Sequence, residues 1–158
     1  MDLPEPVARA VAPLFEALPA DEAMRKLVVT EAAGTDLAGV VETVLRDDSL
    51  PAGGPLESAL WLYIDELDRS HTVSQGIEDA TGSFWHGIMH RREADFPNSH
   101  HWFRKVGDHP AIALVGGYDP HRMIDEVEAL HTGDPEHLIE LQRREWQTLF
   151  SWSATEYA

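Results

Sequence analysis

The 158-residue chain contains no cysteine, and this absence excludes several classes of protein. Without thiols there can be no disulfide framework, no iron–sulfur cluster and no thiolate zinc site. A chain without cysteine also fits a reducing compartment. A chain of this length can bury about two-thirds of its unfolded surface, so its fold does not require covalent cross-links. We expect a single domain that covers residues 1–158.

Long apolar runs are also lacking, since no stretch of the sequence approaches the roughly 20 residues that span a bilayer. The first ten residues, MDLPEPVARA, begin with an acid where a secretory signal peptide needs basic residues. These two observations predict a cytoplasmic protein with no membrane partner.

Positive charge is scarce. Twelve lysines and arginines stand against 28 acidic residues, which gives a formal net charge of −16, and the only lysines are Lys26 and Lys105. Such an acidic chain repels nucleic acid, so nucleic acid is not an expected partner. Segment 83–109 departs from this trend, because four basic residues stand there against three acids.

The sequence also lacks the sustained alternation of apolar and polar residues that marks β-strands. Helix signals recur instead. Asp119-Pro120 and Asp134-Pro135 each place a capping acid before a first-turn proline. Pro55 precedes apolar residues at spacings of three and four, and this stripe continues to His71. We therefore expect an all-α protein, an irregular helical bundle of six to eight helices.

Several local patterns make more specific predictions. Acidic residues near its start predict a helix over residues 20–32, and Thr81 or Ser83 is the expected cap of a helix over residues 84–93. Pro13 should break or kink the first helix. Residues 111–117, AIALVGG, fit a short strand, a buried turn or an extended linker equally well.

Histidines are concentrated on the helix expected over residues 84–93. His86 and His90 are four residues apart, so they lie on one helix face, and Glu93 continues that face. Two imidazoles at this spacing can bind one metal ion, with His71 from the preceding helix as a third ligand. Zinc, manganese and iron all fit such a site. The zincin mechanism is excluded because Gly87 stands where its glutamate is required.

Proton transfer at such a site needs an acid or base, and Glu93 and His71 are the candidate catalytic residues. An activated water would be the nucleophile. Histidine pairs at this spacing also occur in protein cores, where each ring forms a hydrogen bond with a neighbour. The sequence leaves that alternative open.

The basic residues of segment 83–109 predict a site for a small anion, because arginine forks bind carboxylate or phosphate in bidentate fashion. The candidate anion-binding residues are Arg91, Arg92, Arg104, His100 and His101. Two alternatives remain. The cations could complement helix dipoles, or the nearby acids Glu93, Asp95 and Asp108 could neutralise them.

The block SFWHGIMHRREADFPNS-HWFRKVGDHP, with DRSHTVSQ upstream and LQRREWQTLFSW near the end, resembles a family of small bacterial and fungal proteins of unknown function. The resemblance covers about residues 55–152. It implies no particular activity, but it suggests that these segments form the working part of the protein.

Three hypotheses about function follow from these patterns. The first is a metal-dependent enzyme that acts on a small anionic substrate, and the residue types favour it. The second is a non-catalytic module that binds a small anion. The third is a structural helical domain in which a polar network specifies the fold.

Overall fold

Helices form all the regular structure that the described residues contain. The structure is a computed structural model that describes residues 1–31 and 34–158. Its helices are α1 (Glu5–Ala17), α2 (Thr35–Val44), α3 (Pro55–Tyr63), α4 (Leu67–Ser74), α5 (Ala80–Arg92), α6 (Phe96–Val106), α7 (Pro110–Val115), α8 (Pro120–Glu128) and α9 (Glu136–Thr155). The predicted all-α class is confirmed. Within the described residues no helix is long and apolar enough to cross a membrane.

Helix α5 runs through the interior, and every residue from 81 to 92 is buried. It packs most extensively against α6, and also against α3 and α4. Gly87 permits the close approach of α6, because a Cβ at this position would lie 2.8 Å from the Phe103 ring. The same contact explains why no larger residue, such as a glutamate, can follow His86.

Helix α9 covers the other side of the main core. Its Trp146 is fully buried, and the ring lies 4.9 Å from that of Tyr63 and 6.2 Å from that of Trp85. The Trp146 indole nitrogen donates a hydrogen bond to the Ala59 carbonyl at 2.9 Å. These contacts join α3, α5 and α9 around one apolar centre.

The apolar stripe expected on one helix after Pro55 is divided between α3 and α4, which is one reason why the described residues contain nine helices instead of six to eight. Asp65 interrupts the stripe with a left-handed φ of 66°. Its carboxylate accepts a hydrogen bond from Arg92 Nη2 at 2.6 Å. The break is therefore stabilised by a side chain from a distant helix.

The helix predicted over residues 20–32 is wrong for the described part of that range, because residues 20–31 form turns, bends and irregular chain. Residue 32 lies outside the described residues. Buried side chains use the carbonyls of this segment. Arg143 Nε donates to the Ala23 carbonyl at 2.8 Å, and Arg92 Nη2 donates to that of Lys26 at 2.9 Å. These tertiary bonds replace the hydrogen bonds that a local helix would form.

Two helix starts also differ from the predicted ones. Asp79, and not Thr81 or Ser83, caps α5, since its carboxylate accepts from the Gly82 amide at 2.9 Å. Asp134 accepts from the distant Leu27 amide at 2.9 Å and does not cap α9.

Other local predictions have mixed outcomes. Asp119 caps α8 as expected, because its side chain accepts from two first-turn amides. Helix α1 continues through Pro13 without a break. Pro13 has no N–H group that could donate to the Arg9 carbonyl. Arg9 is exposed, so water can donate the missing hydrogen bond instead. Residues 110–115 form the short helix α7, which was not among the alternatives for segment 111–117.

Glycine-to-alanine substitutions test the packing of α5. Alanine at Gly82 would force its Cβ into the backbone carbonyl of Ile77, so we expect Gly82→Ala to lower the free energy of unfolding by about 1–3 kcal/mol or more. Gly39 lies on the exposed side of α2 with open space around it, and Gly39→Ala should raise that free energy by about 0.5–1 kcal/mol. Urea denaturation measures both changes. Equal stability of the two variants would contradict the described packing.

Candidate metal centre

Three histidines from two neighbouring helices converge on one point. His71 lies on α4, and His86 and His90 lie one turn apart on α5. One ring nitrogen from each lies within 4.8 Å of the others. The His86 and His90 rings are stacked 4.7 Å apart, and the His71 ring stands edge-on to both, at 4.7 and 5.4 Å. The structure thus brings the three candidate ligands together, while metal binding itself stays a prediction.

Burial sets the chemical state of His86, whose exposed fraction is 3 %. Burial is the main cause that lowers its pKa to about 3, and the neighbouring His90 and His71 add to this effect. The ring is therefore neutral near pH 7, which is the form that binds a metal. His86 Nδ1 is buried without a hydrogen-bond partner in the described part of the chain. An unsatisfied buried group of this kind costs about 1–3 kcal/mol.

Glu93 orients the His90 ring. His90 Nδ1 and Glu93 Oε1 are 2.7 Å apart, and Asp95 Oδ2 lies 3.9 Å from the same nitrogen. When the carboxylate accepts the proton on Nδ1, the lone pair on Nε2 is free to bind an ion. This carboxylate–histidine arrangement is typical of metal sites. Glu93 was predicted as a catalytic residue. Its contact with His90 gives it an indirect role instead, in which it positions the His90 ring.

Trp102 completes the wall of the site, and sequence analysis did not identify it. Its indole is stacked on His86 with ring centres 3.9 Å apart and an angle of 13° between the rings. Trp102 lies on the helix that directly follows the histidine pair, and this position is visible in the sequence. The stacking of its ring on His86 depends on how α5 and α6 pack, and the local sequence does not predict that.

Arg91 forms an internal ion pair and is fully buried. Its guanidinium contacts Glu145 of α9 through two hydrogen bonds, at 2.8 and 2.7 Å, and the Glu145 side chain is equally enclosed. The Tyr118 hydroxyl also donates to Glu145. Burial raises the pKa of Tyr118, so its phenol remains protonated and can donate this bond.

Arg92 is enclosed in the same way. It contacts the Asp65 carboxylate at 2.6 Å and donates to the Leu62 carbonyl at 2.9 Å. Two of the three arginines that were predicted to bind an anion, Arg91 and Arg92, are thus occupied by internal partners. Neutralisation by the nearby acids Glu93, Asp95 and Asp108 was one of the two alternatives left open by the sequence. The acids that neutralise Arg91 and Arg92 are instead Glu145 and Asp65, which lie on other segments.

The remaining candidate anion-binding residues are spread along α6. Arg104 and His101 are exposed. His100 is partly exposed, with Nδ1 2.7 Å from His121 Nδ1 and Nε2 2.9 Å from Asp125 Oδ1. The structure does not bring these three together with Arg91 and Arg92 in one site. Anion binding by Arg104, His100 and His101 stays a prediction.

Comparison with protein-family models, with curated proteins and with solved structures found no match to this chain.

The Arg91–Glu145 pair can be tested by removing one charge. Glu145→Gln should lower the free energy of unfolding by about 3–5 kcal/mol, because it leaves the Arg91 charge buried without a counterion. Glu5→Gln is the matched control, since Glu5 pairs with Arg9 at 2.8 Å on the surface. That change should cost about 0–1 kcal/mol. Chemical denaturation measures both, and a Glu145→Gln variant as stable as the control would disprove the described burial.

Proposed function

We propose that His71, His86 and His90 bind a divalent transition-metal ion, and that the protein is a metal-dependent enzyme acting on a small anionic substrate. The supporting observation is the buried His86. Its ring is held neutral, its Nδ1 has no partner among the described residues, and it lies beside two further imidazoles. A metal ion would accept the lone pairs of the three ring nitrogens that lie within 4.8 Å of one another.

The ligand set favours zinc or iron over manganese. All three candidate ligands are imidazole nitrogens, which suit zinc and iron, whereas manganese prefers oxygen donors. Two nitrogens bound to one tetrahedral zinc ion at about 2.0–2.1 Å lie about 3.3–3.4 Å apart. The three ring nitrogens lie within 4.8 Å of one another, so the rings have to move closer together to share one ion.

Enclosure of the site sets where a substrate can enter. His86 and His90 are buried, whereas His71 is only partly buried, so the open side of the site lies beside His71.

A separate surface cavity of about 580 Å³ does not include the three histidines. Its lining includes Tyr118, Arg122 and His137. A divalent ion bound to three histidines supplies a Lewis acid that polarises a substrate oxygen or activates water.

A structural role for the polar network is the second candidate. Arg91 and Arg92 adjoin the histidines on α5 and have internal acidic partners, as a network that specifies the fold would require. Trp85 Nε1 is another buried atom without a partner among the described residues, so an unsatisfied nitrogen is not confined to His86. Stoichiometric metal binding decides between the two candidates.

Metal analysis is the direct test of the proposal. Protein purified without a histidine tag or chelator, and then offered zinc or ferrous iron, should bind one ion per chain. His86→Ala should remove most of this binding, because it deletes the central ligand. His131→Ala changes an exposed histidine and should bind like the wild type. Circular dichroism checks that each variant is folded. The proposal fails if the wild type binds neither ion stoichiometrically.

Glu93 provides a second test that leaves all three ligands in place. Glu93→Gln removes the charged acceptor that orients His90, and we expect it to weaken metal affinity about 10- to 100-fold. Glu128→Gln, an exposed acid on α8, is the control for the change in net charge and should leave the affinity unchanged. Competition with a chromogenic chelator gives both affinities. If the two variants bind equally well, Glu93 has no orienting role.

A further inference from the structure

His100 on α6 and His121 on α8 are joined by a hydrogen bond between their imidazole rings. The two Nδ1 atoms are 2.7 Å apart. The ring planes differ by only 4°, and the ring centres are 5.0 Å apart. Stacked rings cannot bring two of their atoms as close as 2.7 Å, so these rings meet edge to edge. The contact thus depends on a single proton that lies between two nitrogens.

Asp125 determines which nitrogens carry protons. Its Oδ1 lies 2.9 Å from His100 Nε2. A carboxylate only accepts, so His100 Nε2 holds a proton. In a neutral His100 ring the other nitrogen, Nδ1, then has a lone pair, and the proton of the 2.7 Å bond comes from His121 Nδ1. The side chains of His100, His121 and Asp125 therefore form one chain of hydrogen bonds, which we call the histidine clasp.

The clasp can take up one proton, but not two, without losing its central bond. When one further proton makes either ring positive, one Nδ1 still donates and the other still accepts. A second one protonates every ring nitrogen of the pair, because an imidazolium is a donor at both of its nitrogens. Two N–H groups on two positive rings would then face each other at 2.7 Å. Like charges at this distance repel each other, so the contact must open.

The charges around the clasp do little to offset this repulsion. Among the described residues, Asp125 has the only carboxylate within 4.0 Å of either ring, and its side chain is 68 % exposed, so water screens its attraction. His121 lies in the first turn of α8, where the helix dipole disfavours positive charge. Helix α5 also packs against α6, but its arginines and histidines have the partners described above. The other titratable groups close to the pair along α6 and α8 are His101, Arg104, Asp119, Arg122 and Glu126.

We propose that the histidine clasp is a pH-sensitive device that holds α8 on α6 near neutral pH and opens in acid. Histidines change charge between about pH 5 and 8, so the clasp contributes stability at the upper end of this range and loses it as the pH falls. Among the helices described, α6 is the main neighbour of α8. Opening would expose the apolar side of α8, which includes Met123 and Ile124. The inference does not depend on the proposed metal.

Hydrogen exchange of the full chain, without added metal, tests the inference, because NMR gives the protection factor of each amide. From about pH 7.5 to about pH 5, protection in α8 should fall about tenfold relative to α9, as the loss of one hydrogen bond would cause. Protection factors already correct for the effect of pH on intrinsic exchange. His121→Asn keeps a side-chain N–H near the position of Nδ1 but cannot gain a proton. The same change in pH should therefore lower its α8 protection less than about twofold.

His131→Asn is the matched control, since it removes an exposed histidine that lies outside the helices. It should lose α8 protection by the same factor as the wild type. Nitrogen NMR spectra of the imidazole rings add a measurement that needs no variant, because both Nδ1 atoms should be protonated only where α8 loses protection. The inference is wrong if wild-type α8 keeps its protection in acid or if His121→Asn loses as much. It is also wrong if both Nδ1 atoms are protonated while α8 stays protected.

Discussion

The burial of α5 from residue 81 to residue 92 is the constraint on which the rest of the structure depends. A helix at a protein surface turns its polar side to water, but α5 has no such side, and its arginines and histidines must find partners within the protein. Arg91 requires Glu145 on α9, and Arg92 requires Asp65 at the break between α3 and α4. The same enclosure holds His86 neutral beside His90. The fold and the candidate site are therefore consequences of one buried polar helix.

Buried ion pairs of this kind add little net stability but are costly to break. The desolvation of both charges offsets much of their attraction, whereas the loss of one partner is strongly destabilising. Arg91 and Arg92 immediately follow His90 on α5, so the pairs that hold these arginines also fix the end of the helix from which His90 projects. The last turn of α5 thus aligns with α4, where His71 lies. The metal centre that we propose needs such rigid support, because its three ligands come from two short helices.

The sequence was sufficient to predict features that depend on neighbours along the chain. Prolines and capping acids predicted the helical class, and the spacing of His86 and His90, with His71 on the preceding apolar stripe, predicted the histidine cluster. Features that depend on distant partners could not be predicted. Glu145 lies 54 residues from Arg91, and the carbonyls of Ala23, Met24 and Lys26 accept hydrogen bonds from α5 and α9. No local pattern shows which distant acid will pair with an arginine. The sequence therefore led to the prediction that Arg91 and Arg92 bind an anion.

X-ray absorption spectroscopy of the zinc-loaded protein tests the central claim most directly, because it counts the donor atoms around the ion. The three candidate ligands predict a first shell with three nitrogen donors at about 2.0–2.1 Å, accompanied by the outer-shell scattering of imidazole rings. The same measurement on His86→Ala should show this imidazole scattering reduced or the zinc absent. A wild-type spectrum with only oxygen donors, or with no imidazole scattering, would contradict the account and leave α5 as a structural helix.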